Sequence, residues 1–316
     1  MNLKNIKLLA GDASFRKFYR SKGNSIVVYS KKNKYKNLQV YDAINNCFNK
    51  NGVSAPKLKK EFYSKNYILI EDLGNKTLFK LLKKRKNKKK IYFNIIKILK
   101  LIQKIKVKKL VTFKKEKYKI PQYTKTELLK ESSLFVDWYL PQVVKKIKIK
   151  QSKKEIKKCL ESLYKKLKLH KKVFVHRDFH VSNMMLYKKK LYLIDNQDAV
   201  YGNIAYDLAS LIDDVRFKTS QEIKDNIFEM YLKLNNKIDK NKLKNDFEIL
   251  SVLRNLKIIG IFTRLAVRDK KKNYRRMIPY AWKMIEYRMS KNSLFKDLEF
   301  NLNKYFSEKV RSKKWL

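Results

Sequence analysis

One stretch, residues 173–198, constrains this chain more than any other, and it reads VFVHRDFHVSNMMLYKKKLYLIDNQD. An apolar run, Val173 to Val175, leads into a His-Arg-Asp triplet that ends at Asp178, and Asn183 follows five residues later. A second short apolar run then ends at Asp195. Short runs of β-branched and aromatic residues are typical of strands. The stretch therefore predicts two strands, a polar loop after the first and a carboxylate directly after the second.

These residue types at this spacing suit phosphoryl transfer. Such a reaction needs a carboxylate that accepts the proton of the attacking hydroxyl and holds its oxygen in line, and Asp178 suits that role. Mg²⁺ prefers hard oxygen ligands, so the Asn183 amide and the Asp195 carboxylate suit metal binding. The alternative is a polar turn in which Asp and Asn serve only as turn formers. The joint match of loop, Asn offset and strand-borne Asp favours the catalytic interpretation.

The triplet and Asn183 have the spacing of a kinase catalytic loop. HRDFHVSNMML followed by LYLIDNQDAVYGNIAYDLASLIDD resembles the phosphotransferase family that includes aminoglycoside and choline kinases. Within it, the chain is most similar to the bacterial cell-wall sugar kinases, which phosphorylate the anomeric hydroxyl of N-acetylmuramate and N-acetylglucosamine. Further stretches that carry the likeness, in order along the chain, are Gly11–Arg16, Ile68–Gly74, Leu134–Leu140 and Leu256–Arg264.

The resemblance implies an α+β, two-lobed protein-kinase-like fold. We expect a small β-rich N-lobe over residues 1–72 that covers the nucleotide, and a larger, mainly helical C-lobe over residues 73–316 that carries catalysis and acceptor binding. Within the first, periodic apolar positions predict a helix over residues 35–50. Within the second we expect a helix over residues 126–140 and a basic, loosely held tail over residues 304–316.

ATP and Mg²⁺ are the cofactors that the resemblance implies. The first turn of the chain would cover the nucleotide phosphates, with Ser14, Phe15 and Arg16 as nucleotide-binding residues. The strand that follows lacks the usual phosphate-binding lysine of kinases, so Arg16 is the first choice for that cation and Lys31 the second. The carbonyl of Glu71 and the amide of Leu73 would hold the adenine.

The remaining candidate residues support the catalytic loop or contact the acceptor. The resemblance assigns loop support to His176, Arg177 and Asp207, and candidate acceptor contacts to Asp137, His180, Asp198 and Arg264. Three of the acceptor contacts have open alternatives. His180 can equally be packed inside the protein. Asp198 can equally support other site residues without contacting the acceptor. Arg264 can bind either a carboxylate of the acceptor or a structural carboxylate of the protein.

The formal net charge is +51, from 79 Lys and Arg against 28 Asp and Glu. Such an excess is typical of proteins that bind nucleic acid or anionic membranes. The lysines are dispersed along the whole chain and no nucleic-acid module is recognisable, which favours lysines spread over every solvated face. We expect a small-molecule sugar acceptor, no specific nucleic acid, no membrane insertion and a monomer. The early charges of the N-terminus argue against a signal peptide and favour the cytoplasm.

The sequence thus predicts an ATP-dependent sugar kinase that phosphorylates the anomeric hydroxyl of N-acetylmuramate or N-acetylglucosamine in cell-wall sugar recycling. One alternative keeps the fold and changes the acceptor to an aminoglycoside, choline or another small alcohol. Another alternative is a non-catalytic protein that binds nucleic acid or membrane through its charge. The intact set of Asp178, Asn183 and Asp195 argues against that second alternative.

Overall fold

The chain begins with a five-stranded antiparallel sheet. The computed structural model describes residues 6–9, 16–21, 24–31, 34, 36–84 and 88–313. The strands follow one another across the sheet in the order β1-β2-β3-β5-β4. Their bounds are β1 Ile6–Leu9, β2 Arg16–Ser21, β3 Ser25–Ser30, β4 Leu58–Phe62 and β5 Tyr67–Glu71.

Burial on one face explains the register of the central strands. Ile26 of β3 lies opposite Ile70 of β5, and Val28 lies opposite Ile68. These four side chains are buried on one face, where they form a cluster with residues of the first helix. A one-residue shift would turn Ile68 and Ile70 away from this cluster, so burial fixes the pairing.

The first helix, α1, covers this face of the sheet and spans Asn37–Lys50. Its apolar positions Leu38, Tyr41, Ile44 and Phe48 are all buried, which confirms the helix predicted over residues 35–50. The chain continues with α2 Leu78–Lys84, α3 Lys89–Lys104, β6 Lys109–Val111 and β7 Lys117–Lys119.

Two short strand pairs carry the 173–198 stretch. The strands are β8 Lys172–Val175, β9 Met184–Tyr187, β10 Lys190–Leu193 and β11 Val200–Asn203. β8 pairs with β11, and β9 pairs with β10. The polar loop lies between β8 and β9, and Asp195 follows β10, as the sequence predicts.

Contacts divide the chain into two compact units. Unit 1 comprises residues 1–122 and 173–201, and unit 2 comprises residues 123–172 and 202–316. Unit 1 holds the five-stranded sheet, α1 to α3 and most of the two short strand pairs. The lobe boundary expected at residue 72 stays a prediction.

Unit 2 is helical. Its α-helices are α4 Lys125–Ser132, α5 Leu140–Val143, α6 Ile149–Lys165, α7 Tyr206–Ile212, α8 Gln221–Leu234, α9 Lys240–Val267, α10 Ile278–Ser290, α11 Lys296–Tyr305 and α12 Glu308–Ser312. The Thr124 side chain caps α4 by accepting a hydrogen bond from the Glu127 N–H. A π-helical segment, Phe135–Tyr139, interrupts the helix predicted over residues 126–140. Within the described ranges, no helix is long and apolar enough to cross a bilayer.

The expectation of a loosely held tail is wrong for its described part, residues 304–313. Phe306 is buried and its ring lies 5.2 Å from that of Phe135 and 5.5 Å from that of Trp282. Arg311 is also buried, and its guanidinium contacts Glu286 at 3.1 Å. The basic composition of the segment does not reveal that one aromatic ring anchors it. Nor does it reveal that one arginine packs its aliphatic stem inside the protein while its guanidinium pairs with a carboxylate.

Gly260 lies where α9 closely approaches the backbone of Leu134 and Phe135. A Cβ at this position would lie 2.3 Å from the backbone carbon of Leu134, because α9 packs directly against the chain at the start of the π-helical segment. Backbone cannot move aside as a flexible side chain can, so overpacking here is expensive.

We expect Gly260→Ala to lower the free energy of unfolding by about 3 kcal/mol or more, or to prevent folding. Urea denaturation followed by circular dichroism measures the change. Gly52→Ala is the matched control: no atom lies within 4 Å of its added Cβ, and its φ of +78° predicts a loss of about 1–2 kcal/mol. Equal losses in the two variants would contradict the packing account.

Candidate active site

The two loops that carry the candidate residues both contain a strained backbone position. Arg177 has φ +76° and Asp195 has φ +64°, the left-handed region that residues with a Cβ seldom adopt. Such a conformation costs about 1–3 kcal/mol and persists only where the surroundings enforce it. Contacts around both loops must therefore hold these backbone conformations in place.

His176 provides much of that enforcement. Its ring is fully buried, its Nδ1 accepts a hydrogen bond from the Asp178 N–H at 3.3 Å, and its Nε2 lies 2.8 Å from the Asn196 Oδ1. Because Nδ1 accepts, the proton belongs on Nε2, which donates to Asn196. Asn196 in turn donates to the Oδ1 of Asn45 on α1 at 2.8 Å. One chain of hydrogen bonds thus joins the Asp178 loop, the Asp195 loop and α1.

Asn183 closes the Asp178 loop. Its Nδ2 donates to the backbone oxygen of Asp178 at 3.0 Å, so its Oδ1 is the atom left to face a metal. The Ile194 N–H donates to the Asn183 backbone oxygen at 3.0 Å. That bond brings Asp195 beside Asn183, although twelve positions separate them in the sequence.

Asp195 is held by two side chains. Arg16 donates from Nη2 to its Oδ1 at 2.9 Å, and Gln197 donates from Nε2 to the same oxygen at 3.1 Å. Arg16 also donates to the Oδ1 of Asn37 at 2.8 Å. The Asp195 side chain nevertheless keeps 40% of its surface exposed, while that of Arg16 keeps 3%. A buried cation therefore backs a carboxylate that stays open on its other side.

The electrostatics link Asp195 to Asp178. Burial among neighbouring atoms raises the pKa of Asp195, the positive charge of Arg16 opposes that rise, and the negative charge of Asp178 adds to it. The negative charge of Asp178 thus acts on Asp195, as expected of two neighbouring carboxylates. A bound cation would relieve their repulsion.

The structure describes only part of the predicted nucleotide-binding set. Ser14 and Phe15 lie outside the described residues. Arg16 contacts Asp195 and Asn37, and Lys31 is exposed; the phosphate-binding role of Arg16 or Lys31 stays a prediction. Leu73 is buried and follows the end of β5.

Arg20 fixes the turn after Glu71. It donates to both carboxylate oxygens of Asp72, at 2.6 and 2.9 Å, and to the Gly74 carbonyl at 3.0 Å. The Gly74 N–H donates to the same Asp72 carboxylate at 2.8 Å. This turn carries the backbone groups predicted to hold adenine, and its rigidity suits readout by main-chain atoms.

Two candidate acceptor residues lie in unit 1 with Asp178. His180 is buried; its N–H donates to the Asp178 carbonyl at 3.1 Å and its own carbonyl accepts from the Asn183 N–H at 2.9 Å. Asp198 is exposed, and its carboxylate accepts from Gln197 at 2.7 Å. Arg177, predicted to support the loop, donates to the Asp198 backbone oxygen at 3.3 Å.

The other two candidate acceptor residues, Asp137 and Arg264, lie in unit 2, as does Asp207, which is predicted to support the catalytic loop. Asp137 is exposed and faces Lys153 and Lys157 at 3.8 and 3.7 Å. Asp207 is fully buried in the first turn of α7, where a carboxylate suits the helix dipole. Arg264 is half-buried near the end of α9, and burial lowers its pKa.

Sequence reasoning missed the structural roles of four polar residues that hold the site together. Asn196 is the hydrogen-bond partner of His176, and the other three are Asn37, Asn45 and Gln197. The DNQD segment contains a signal for Gln197, because an amide between two aspartates can bridge them. No local signal marks Asn45, which lies 151 positions from Asn196.

Comparison with known proteins places the chain. Residues 5–243 match the phosphotransferase enzyme family. The chain belongs to this family. Among curated proteins, an N-acetylmuramate/N-acetylglucosamine kinase from Neisseria meningitidis serogroup B is 27% identical over 285 residues, covering 85% of this chain and 81% of that protein. One of the same name from Pseudomonas aeruginosa is 26% identical over 285 residues, covering 88% and 81%.

Solved structures show the fold. A choline/ethanolamine kinase family protein from Mesorhizobium loti matches with a TM-score of 0.64 and 12% identity, covering 94% of this chain and 92% of that one. The GDP and kanamycin complex of the aminoglycoside phosphotransferase APH(2")-IIia matches with a TM-score of 0.63 and 11% identity, covering 92% and 95%. These findings confirm the predicted family, the two-lobed kinase-like fold and a phosphotransferase activity.

Asp42 on α1 gives the region a pH-dependent stability. It is buried, its Oδ2 accepts from Asn46 at 3.0 Å, and burial raises its pKa from 3.8 to about 6. Since the folded state binds this proton more tightly than the unfolded state, stability falls as pH rises from about 4 to 6, and the penalty then remains.

We expect Asp42→Asn to raise the free energy of unfolding at pH 7.5 by about 1–3 kcal/mol more than it does at pH 4, because asparagine has no charge to bury. Urea denaturation at both pH values measures the difference. Asp225→Asn, which changes an exposed carboxylate on α8, is the control and should show no such difference. A pH-independent effect of Asp42→Asn would contradict the account.

Proposed function

We propose that this chain is an ATP-dependent kinase that phosphorylates the anomeric hydroxyl of N-acetylmuramate or N-acetylglucosamine, giving the sugar 1-phosphate in cell-wall sugar recycling. The observation that carries the proposal is that Asn183 hydrogen-bonds to Asp178 and to Ile194, the residue before Asp195, in a chain of the phosphotransferase family. The names of the curated relatives support the choice of acceptor.

In this proposal Asp178 is the group that orients the acceptor. Its backbone N–H and carbonyl are used by His176 and Asn183, which fixes the loop and aims the carboxylate. The carboxylate accepts a hydrogen bond from the acceptor hydroxyl and takes up its proton as the hydroxyl oxygen bonds to the γ-phosphorus of ATP, while the bond from that phosphorus to the bridging oxygen breaks and ADP leaves. An anomeric hydroxyl is more acidic than other sugar hydroxyls, so positioning matters more than the strength of the base.

The donor set around Asn183 fits a hard divalent cation. It offers an amide oxygen whose nitrogen is already used and a carboxylate that is partly open, and Mg²⁺ binds through one or two such oxygens together with phosphates. Asn183 and Asp195 would hold the ion, which neutralises charge on the phosphate oxygens when bound. Arg16 and Gln197 orient the Asp195 carboxylate toward that task.

The charge of the chain favours an anionic acceptor. A net charge of +51 attracts N-acetylmuramate, which carries a carboxylate, and repels polycationic aminoglycosides. It also attracts nucleotide triphosphate. Since the reaction consumes ATP, we place it in the cytoplasm.

We expect Asp178→Asn to lower kcat about 10²–10⁴-fold, because asparagine cannot accept the proton. The assay measures Mg²⁺-dependent ADP release with N-acetylmuramate, N-acetylglucosamine, glucose, choline and kanamycin as acceptors. Asp225→Asn is the matched control and should keep the wild-type rate.

Near-wild-type turnover by Asp178→Asn would contradict the role of Asp178. Turnover by the wild-type protein with choline or kanamycin alone would contradict the choice of acceptor while leaving the kinase assignment intact. Absence of turnover with every acceptor would contradict the proposed function as a whole.

A further inference from the structure

Unit 2 contains a buried guanidinium for which the described residues supply no counter-charge. Arg254 lies in the middle of α9, is 4% exposed, and its Nη1 has no hydrogen-bond partner. Nor do the described ranges contain an ion pair that involves Arg254. Buried polar groups are nearly always paired, and an unpaired buried charge is strongly unfavourable. Arg254 therefore requires a partner that the described part of the chain does not provide.

Other buried cations of the chain show the contrast. Arg16 pairs with Asp195, Arg311 pairs with Glu286, and Lys224 and Arg288 share Asp213 at 2.8 and 3.0 Å. Each has a carboxylate, as expected for a buried charge. The isolation of Arg254 is not a general consequence of the lysine-rich and arginine-rich composition.

Arg254 borders a polar cavity of about 10 Å³, which is room for about one water-sized group. The cavity lies wholly within unit 2, among α4, α6, α7 and α9. The polar side chains around it that matter here are Arg254, Lys257, Glu131, Tyr123, Tyr164 and Tyr206.

The charges around this cavity do not cancel. Glu131 accepts from Lys257 at 2.6 Å and from the Tyr123 hydroxyl. Lys257 also donates to the Tyr206 hydroxyl at 3.2 Å, and that hydroxyl lies 3.1 Å from Tyr123. The one carboxylate is thus neutralised by Lys257, and the positive charge of Arg254 remains in excess. A water molecule could fill the space and accept a hydrogen bond, but it would not balance the charge.

We infer that this pocket binds a small oxyanion of the carboxylate type, with one oxygen in the cavity and the Arg254 guanidinium as its principal ligand. A guanidinium matches a carboxylate through paired N–H donors, which makes arginine the residue of choice for such groups. The carboxylate belongs to a free small anion, so this inference does not rest on the proposed function.

The first test measures anion binding by the whole chain. The thermal midpoint of the wild-type protein is followed in increasing sodium D-lactate or sodium sulfate at constant ionic strength, with sodium chloride as the reference. A ligand that binds only the folded state raises the midpoint as its concentration exceeds the dissociation constant. We expect a saturating rise in lactate above that in chloride, and at least a tenfold weaker apparent affinity in Arg254→Gln.

Arg276→Gln is the matched control, because Arg276 is an exposed arginine of the same unit outside the cavity, and it should bind lactate as the wild type does. Arg254→Lys keeps the charge and serves if Arg254→Gln does not fold; it should bind lactate more weakly than the wild type. A wild-type midpoint that responds alike to lactate, sulfate and chloride would overturn the inference. Unchanged lactate affinity in the folded Arg254 variants would overturn it as well.

The second test separates a free anion from the acceptor sugar as the source of the carboxylate. We expect Arg254→Gln to leave the ratio of kcat/KM for N-acetylmuramate to kcat/KM for N-acetylglucosamine unchanged while the lactate stabilisation is lost. A fall of that ratio by tenfold or more would overturn the inference that a free anion is the ligand. Wild-type protein that phosphorylates neither sugar would count against the proposed function, and the stability measurements would still decide the oxyanion pocket.

Discussion

The hydrogen bonds of His176 are the interaction on which the rest of the candidate site depends. A fully buried imidazole joins the N–H of Asp178 to the side chain of Asn196, and Asn196 continues to Asn45 on α1. Arg177 and Asp195 adopt left-handed backbone conformations in the two loops that this network connects. The network and the sheet-packed helix behind it keep those loops in place, and the proposed catalytic roles of Asp178, Asn183 and Asp195 require such a fixed arrangement.

The local elements could be predicted because their signals are local. The apolar stripe of α1 and the H-R-D-x-x-x-x-N spacing each occupy a short segment of the sequence, and the structure has the corresponding helix and loop. The partners within the site could not be predicted in this way. Arg16 and Asp195 are 179 positions apart, and only the fold brings them to 2.9 Å. The packed C-terminal segment could not be predicted either, because its basic composition gives no sign that the Phe306 ring packs into the interior.

Charge has different roles on the surface and in the interior. Most of the excess lysines lie on solvated faces, where they act together as a general positive field, whereas each buried charge has a specific environment. Burial tends to raise the pKa of Asp213, but the charges of Arg288 and Lys224 outweigh it and lower that pKa to about 2. Arg254 has no such carboxylate, and this difference, not the total charge, is what indicates a ligand.

The central claim is that this kinase places phosphate on the anomeric oxygen of an amino sugar. Phosphorus NMR of the product from ATP, Mg²⁺ and N-acetylmuramate, without proton decoupling, tests it most directly. A sugar 1-phosphate has one carbon-bound proton three bonds from phosphorus, and the account predicts a new phosphate doublet whose coupling partner is the anomeric proton. A triplet, from a phosphate on the exocyclic CH₂ oxygen, or the absence of any sugar phosphate signal while the same protein phosphorylates another alcohol, would contradict it.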